Sequence, residues 1–161
     1  MDSILQHYSR KDIQKAILSI AKNREVVAKF KGDRFNRRPD VLLHEADILE
    51  LAKQGATSFH MSVERWTDPL KLTQSMGKRE MDQLRSGWDL LLDIDSKFVE
   101  YSKVGAYLVV EALKFYNIKD IFVKFSGGSG FHILVPFESF PLNVNTFETK
   151  FLYPEGVRVI A

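Results

Sequence analysis

GWDLLLDID, residues 87–95, is an apolar run that ends in two aspartates. Such a run predicts a central β-strand that reaches solvent only at its end. Side chains alternate between the faces of a strand, so Asp93 and Asp95 point the same way, with Cα atoms about 7 Å apart, and Ile94 points to the other face. Two carboxylates on one face make a poor core and a good site for hard cations.

A second polar stretch, FSGGSGFH at residues 125–132, follows another strand-like run and contains three glycines within five residues. Glycine tolerates positive φ and lets a ligand approach the backbone, so successive N–H groups can form an anion-binding concavity. Ser126 and Ser129 add hydroxyl donors, Lys124 adds a cation, and His132 adds a ring nitrogen where the next strand begins. We therefore predict a phosphate-binding loop, which differs from both the P-loop and the dinucleotide-binding fingerprint.

Carboxylates for metals and donors for phosphates are the two halves of a nucleotidyl-transfer site. Divalent ions roughly 3.5–4 Å apart neutralise a triphosphate and activate the attacking hydroxyl, while amides and cations hold the leaving pyrophosphate. Mg²⁺ in particular prefers one or two carboxylates plus substrate oxygens over a full protein cage. The two stretches together therefore predict metal-dependent nucleotide chemistry.

The sequence resembles the catalytic small subunit of archaeo-eukaryotic DNA primases, and more broadly the primase-polymerase superfamily that includes the polymerase domains of end-joining ligases. The matching stretches are residues 88–95 and, about thirty residues later, residues 124–133. HMSVERWTDP, residues 60–69, is similar to the strand and turn that precede the metal motif in archaeal primases. The end-joining polymerases share the lysine two residues before the serine. The resemblance covers about half of the chain.

The resemblance implies that Asp93 and Asp95 are catalytic and bind Mg²⁺ or Mn²⁺, and that the glycine loop contacts the phosphates of the incoming nucleotide. The expected phosphate-binding residues are Lys124, Ser126, Gly127, Gly128, Ser129, Gly130 and His132. The implied fold is α/β (α+β): a primase-polymerase catalytic core with a mixed or antiparallel RRM-like sheet, helices packed on it, and an N-terminal α/β lobe. The implied activity is DNA-templated primer synthesis or gap filling from nucleoside triphosphates, on a single-stranded or primed template. A large primase subunit is left open as a further partner.

The family's third metal-binding carboxylate lies on a strand well beyond the histidine motif. The acids that follow His132 are Glu138, Glu148 and Glu155, none of which sits in an apolar strand, and Glu155 lies in a turn by composition. We therefore expect the chain to be the N-terminal portion of a longer enzyme, catalytically incomplete by itself. The alternative is a nucleotide- or nucleic-acid-binding module of the primase fold without catalysis.

Composition sets the remaining limits. The chain has 161 residues, 45% of them hydrophobic, which is enough for a substantial core. It has no cysteine, which excludes a disulfide framework and a Cys-based zinc site within this segment. The first residues are too polar for a secretory signal, and no run approaches the roughly 20 apolar residues of a membrane span. We therefore expect a cytoplasmic protein with no membrane partner.

The net charge is only +2, so a nucleic-acid surface must be a local patch. The best patch is KFKGDRFNRR, residues 29–38, where five basic residues alternate with two aromatics. This mixture suits a nucleic-acid backbone with stacked bases, and it makes Arg34, Arg37 and Arg38 candidate contacts. A solvated hairpin turn at residues 31–33 is an equally good interpretation.

The hydrophobic pattern divides the chain into an N-terminal α/β lobe, residues 1–86, and a metal- and nucleotide-binding lobe, residues 87–161. In the first lobe it predicts a helix over 10–23, a strand over 25–30, a helix from Pro39 to about Gln54 that stops at Gly55, and a strand over 57–66. In the second lobe it predicts a helix over 100–116 that covers the sheet. The stripe expected to face the sheet is Val104, Leu108, Ala112 and Phe115.

Overall fold

The computed structural model describes residues 3–160 and divides the chain between residues 86 and 87 into two compact units. Both units combine helices with antiparallel β-sheets, which confirms the predicted α+β class. Within residues 3–160, no helix is long and apolar enough to cross a membrane.

The first unit contains a three-stranded antiparallel sheet and four helices. The helices are Ser3–Tyr8 (α1), Lys11–Ala21 (α2), Glu45–Lys53 (α3) and Lys78–Leu84 (α4), and the strands are Val26–Phe30 (β1), Arg34–Phe35 (β2), Ala56–Met61 (β3) and Glu64–Trp66 (β4). The sheet order is β2-β1-β3, and β4 pairs with Arg85–Trp88 (β5). Ala21, Val26, Leu42 and Ile48 form the buried core of this unit.

The helix predicted from Pro39 begins later than expected, after His44. The backbone carbonyl of Asp40 instead accepts a hydrogen bond from the backbone N–H of Val26 at 2.9 Å, and this ties the segment to β1. The Asp47 carboxylate accepts from the His44 N–H at 2.8 Å and caps the true first turn. These bonds outweigh the tendency of proline to start a helix. The predicted end is confirmed, since α3 stops two residues before Gly55, whose φ is +98°.

The prediction of one strand over residues 57–66 is wrong in one respect, because Ser62 and Val63 separate β3 from β4. The guanidinium group of Arg24 donates to the carbonyls of both residues, at 2.8 and 3.0 Å. Those carbonyls therefore bond to a side chain, and the strand is interrupted there.

The second unit is built on a three-stranded antiparallel sheet with one long helix against it. Its strands are Leu90–Ile94 (β6), Phe122–Phe125 (β7), Phe131–Val135 (β8), Asn143–Val144 (β9) and Phe147–Glu148 (β10), and its helices are Val99–Phe115 (α5) and Glu155–Ile160 (α6). The sheet order is β6-β8-β7, and β9 pairs with β10. The turn expected around Glu155 lies at residues 153–154, and Glu155 itself begins α6.

The predicted buried stripe of α5 is also wrong. Its buried residues are Ser102, Ala106 and Leu113, whereas Val104, Leu108 and Phe115 are 57%, 60% and 84% exposed. Small residues face the sheet because the helix lies close to it: a Cβ on the neighbouring Gly105 would stand 3.2 Å from the Ile94 side chain. Val104, Leu108 and Phe115 are left on the outer side of α5.

Trp88 is the largest side chain in the core of the second unit and is 1% exposed. Its indole N–H donates to the carbonyl of Thr149 at 2.9 Å, and the rings of Phe137, Phe140 and Tyr153 pack around it. Gly87 must lack a side chain here, since a Cβ would lie 2.7 Å from the Phe137 ring. This cluster fixes the start of the strand that carries Asp93.

Candidate functional site

The candidate residues Asp93, His132 and Lys124 lie on the face of the second unit's sheet opposite α5. The strand pairing places Asp93 of β6 opposite His132 of β8, and His132 opposite Lys124 of β7. Directly opposite residues of an antiparallel sheet share a face, so the three side chains form one row across the strands. Exposure alternates along β6, which puts Asp95 on the same open face just beyond the strand end.

The centre of this row joins an acid to an imidazole. His132 Nε2 lies 3.6 Å from Asp93 Oδ1, and the Asp93 side chain is 64% exposed. At this distance the two groups form an ion pair only when the imidazole is protonated. An exposed carboxylate beside a ring that can donate a proton suits a site for charged ligands.

The glycine loop joins β7 to β8 and is closed by Ser126. The backbone N–H of Ser126 donates to the Gly130 carbonyl at 2.9 Å, and the Ser126 hydroxyl oxygen accepts from the Gly130 N–H at 3.2 Å. Gly127 has a φ of +98°, a conformation that glycine adopts without strain. The loop is therefore a defined turn with its own internal hydrogen bonds.

The same loop lies directly against the end of the aspartate strand. The Ser129 hydroxyl donates to Asp95 Oδ1 at 2.7 Å. A Cβ on Gly130 would stand 2.9 Å from the Ile94 carbonyl and 3.1 Å from Asp95 Oδ1, so only glycine allows this approach. The Asp93–Asp95 pair and the Ser126–His132 loop are therefore adjacent. The prediction that the aspartates follow a central strand is wrong, because β6 lies at the edge of its sheet.

The outer side of the loop is open to a ligand. Cβ atoms built on Gly127 or Gly128 would meet nothing within 4 Å. Of the two, Gly128 has an ordinary φ, so a larger residue there would not strain the backbone. Gly130 is therefore required by the fold, whereas Gly128 leaves space that the fold itself does not use.

The donor set fits a divalent cation in part. Asp93 and Asp95 offer two carboxylates on one exposed face, and Mg²⁺ accepts one or two carboxylates with substrate phosphate oxygens completing its shell. Across residues 3–160, no three His, Cys, Asp or Glu side chains gather as a metal site. The residues therefore suit an ion that is held jointly with a phosphate ligand.

The basic patch at residues 29–38 contains the β1–β2 hairpin. Its turn lies at residues 31–33, where the sequence predicts a solvated hairpin turn. Two of its cations have acidic partners. Lys29 pairs with Asp33 at 2.7 Å, and Arg38 donates two hydrogen bonds of 2.8 Å to Glu25. The exposed side chains of Arg34 and Arg37 remain candidates for nucleic-acid contact.

An ionic cluster in the first unit was not predicted. The Arg85 side chain is 2% exposed; it donates to Glu64 at 2.7 and 2.9 Å, bonds to Asp82, and stacks over Trp66 at 5.5 Å. Burial raises the pKa of Glu64, and the bonds from Arg85 oppose that shift. No periodic pattern could reveal the cluster, because Arg85 and Glu64 are 21 residues apart in sequence.

An apolar row on the open face of the second sheet was also missed. Leu91, Leu134 and Phe122 are paired across β6, β8 and β7, one step along the strands from the polar row. Their spacing of two residues from Asp93, His132 and Lys124 was the available signal.

No protein-family model matches the chain. The chain is similar to an uncharacterized protein of Methanocaldococcus jannaschii, with 49% identity over 49 residues. The aligned residues cover 30% of this chain and 11% of that protein, so the chain spans only a small part of its relative's length. The similarity is local, and the name of that archaeal protein assigns no activity.

Proposed function

We propose that this chain belongs to a primase-type nucleotidyltransferase that uses nucleoside triphosphates and a DNA template, for primer synthesis or gap filling. The observation that carries the proposal is the loop seated on the aspartate strand, with Ser129 Oγ 2.7 Å from Asp95 Oδ1. This places donors for phosphates beside carboxylates for Mg²⁺ or Mn²⁺, the combination that phosphoryl transfer requires.

Each residue has a distinct part in the proposed reaction. A hydroxyl attacks the α-phosphate in line: its oxygen forms the new P–O bond, its proton passes to solvent water, and the bond to pyrophosphate breaks with the electron pair staying on the pyrophosphate. Asp93 and Asp95 would hold the divalent ions, which neutralise charge on the phosphates when bound. The Gly127, Gly128 and Ser129 backbone N–H groups and the Ser126 hydroxyl, with His132 and Lys124, would hold the triphosphate and the departing pyrophosphate. The Ser129 hydroxyl orients the Asp95 carboxylate.

The proposal extends to location and partners. A cytoplasmic enzyme would meet single-stranded or primed DNA, and the exposed Arg34 and Arg37 of the first unit would contact its phosphates. Arg38 is less suited, because Glu25 already takes two of its donors. A large primase subunit stays open as a further partner.

The first test is calorimetric titration of the chain with ATP and Mn²⁺. We expect Gly128→Val to abolish binding while the fold is kept, because the added side chain enters space that the chain leaves empty. Asp95→Asn should weaken binding only when Mn²⁺ is present. The matched control is Asp120→Asn, which removes an exposed carboxylate away from the row. Equal affinities for all four proteins would contradict the proposal.

A second candidate is nucleotide binding without catalysis. The observation in its favour is that the site offers two carboxylates, and the part of the chain that the structure describes has no cluster of three metal-binding side chains. Template-dependent extension of a labelled primer with Mg²⁺ or Mn²⁺ separates the two functions. Extension that Asp93→Asn abolishes would favour the enzyme, whereas ATP binding with no extension is expected both of a binding module and of a catalytically incomplete portion of the enzyme.

A further inference from the structure

The apolar row of Leu91, Leu134 and Phe122 lies beside the candidate site, on the open face of the sheet. Leu91 is 36% exposed and Phe122 is 61% exposed, and Leu134 lies between them on β8. The helix α5 packs on the opposite face, which includes the buried Leu90 and Ile133. The fold of this unit therefore does not account for a leucine pair and a phenylalanine on its open face.

The charged groups and the apolar row follow one another in a fixed order along the strands. Along the strands, the glycine loop comes first, the polar row of Asp93, His132 and Lys124 follows, and the apolar row comes about 7 Å further on. A nucleotide has the same sequence of chemical groups, with charged phosphates at one end and a flat apolar base at the other. The sheet face and the ligand are complementary in that order.

We infer that Leu91, Leu134 and Phe122 form the platform for the base of the nucleotide whose phosphates the glycine loop holds. The inference rests on the proposed function, because the loop must first bind phosphates. Aromatic side chains on an open sheet face are a recurrent platform for bases, and stacking is tolerant of base identity because every base has a π-face. The two leucines extend the apolar surface beneath the sugar and base.

The platform predicts that Phe122 acts on the nucleoside and not on the phosphates. The test compares ATP, UTP and inorganic tripolyphosphate as ligands of the full chain with Mn²⁺, by calorimetry. We expect wild-type protein to bind both nucleotides more tightly than tripolyphosphate. Phe122→Ala should lose roughly tenfold in affinity for ATP and UTP, with tripolyphosphate affinity unchanged. Phe122→Trp should keep or improve the nucleotide affinity.

The matched control is Phe125→Ala, the same substitution on the same strand but on the other face of the sheet, where Phe125 packs against Phe131. It should leave the difference between ATP and tripolyphosphate unchanged. Because Phe122 is exposed, its replacement should keep the fold, and circular dichroism with thermal unfolding checks this.

Three outcomes would overturn the inference. Unchanged ATP affinity in Phe122→Ala would remove the base platform but leave the phosphate site standing. A loss of self-association in Phe122→Ala, without a loss of ATP affinity, would assign the row to an interface between copies of the chain. If the wild-type chain bound neither ATP nor tripolyphosphate, the proposed function would fail, and the platform with it.

Discussion

Gly130→Ala tests how closely the glycine loop approaches the end of the aspartate strand. The added Cβ would stand 2.9 Å from the Ile94 carbonyl oxygen, and this oxygen belongs to a paired strand. Relaxed C···O contacts lie at about 3.3–3.6 Å, so the loop must retreat by about 0.4–0.7 Å. Overpacking of this kind costs about 1–3 kcal/mol of unfolding free energy.

The same retreat should weaken ligand binding. The Cβ also comes within 3.1 Å of Asp95 Oδ1, the atom that accepts the hydrogen bond from Ser129. We therefore expect lower affinity for ATP with Mn²⁺ as well as lower stability. The control is Gly128→Ala, where the Cβ meets nothing and φ is ordinary, so stability should change by less than about 1 kcal/mol.

Equilibrium unfolding in urea, followed by tryptophan fluorescence, measures both variants. Trp88 reports the second unit because it lies in the core of that unit. A Gly130→Ala protein as stable as Gly128→Ala would show that the loop does not press against the aspartate strand, and the geometric basis of the site would be lost.

Three further outcomes are expected. The double variant Arg34→Ala with Arg37→Ala should bind a fluorescent single-stranded oligonucleotide more weakly in anisotropy titrations. It should also reduce the slope of log affinity against log salt concentration by about 1–2, and Arg38→Ala should change this slope less. Burial raises the pKa of Glu64 above 4.5, so as the pH falls the folded chain binds a proton at Glu64 before the unfolded chain does. The unfolding free energy should therefore fall as the pH rises from 4.5 through the folded-state pKa. Glu64→Gln should remove that slope in urea unfolding measured across pH, and an unchanged slope would refute this. Asp95→Asn should lower ATP affinity in the presence of Mn²⁺ far more than it lowers tripolyphosphate affinity without metal, and equal losses would contradict a metal-binding role.

The candidate site was predictable from sequence because its signals are local. Asp93 and Asp95 lie two residues apart on a strand, and the glycines that shape the loop are neighbours in the chain. The loop also leads directly into β8, the strand that pairs with the aspartate strand. Each motif is therefore local, but their meeting depends on the long-range pairing of β6 with β8, because the hydrogen-bonded Ser129 and Asp95 are 34 residues apart in sequence.

The failed predictions were decided by tertiary contacts. Apolar residues lie around much of α5, so the pattern alone did not define a buried face, and close approach at Gly105 favoured Ser102 and Ala106 over Val104. In the first unit, the bond from Val26 to Asp40 overrode a helix-start signal. Propensity is a weak prior in both cases, and a partner distant in sequence decides the outcome.

The antiparallel register of β6 and β8 has an evolutionary consequence. Leu90 and Leu92 face the core, while Leu91 and Asp93 of the same strand face the site. A one-residue insertion or deletion inside either strand would exchange the two faces, bringing the acid into the core and the leucines into solvent. Length changes in these strands would therefore be eliminated by selection for folding alone, whereas single substitutions on the open face remain free to alter ligand preference. The strand lengths should thus diverge more slowly than the chemistry of the site.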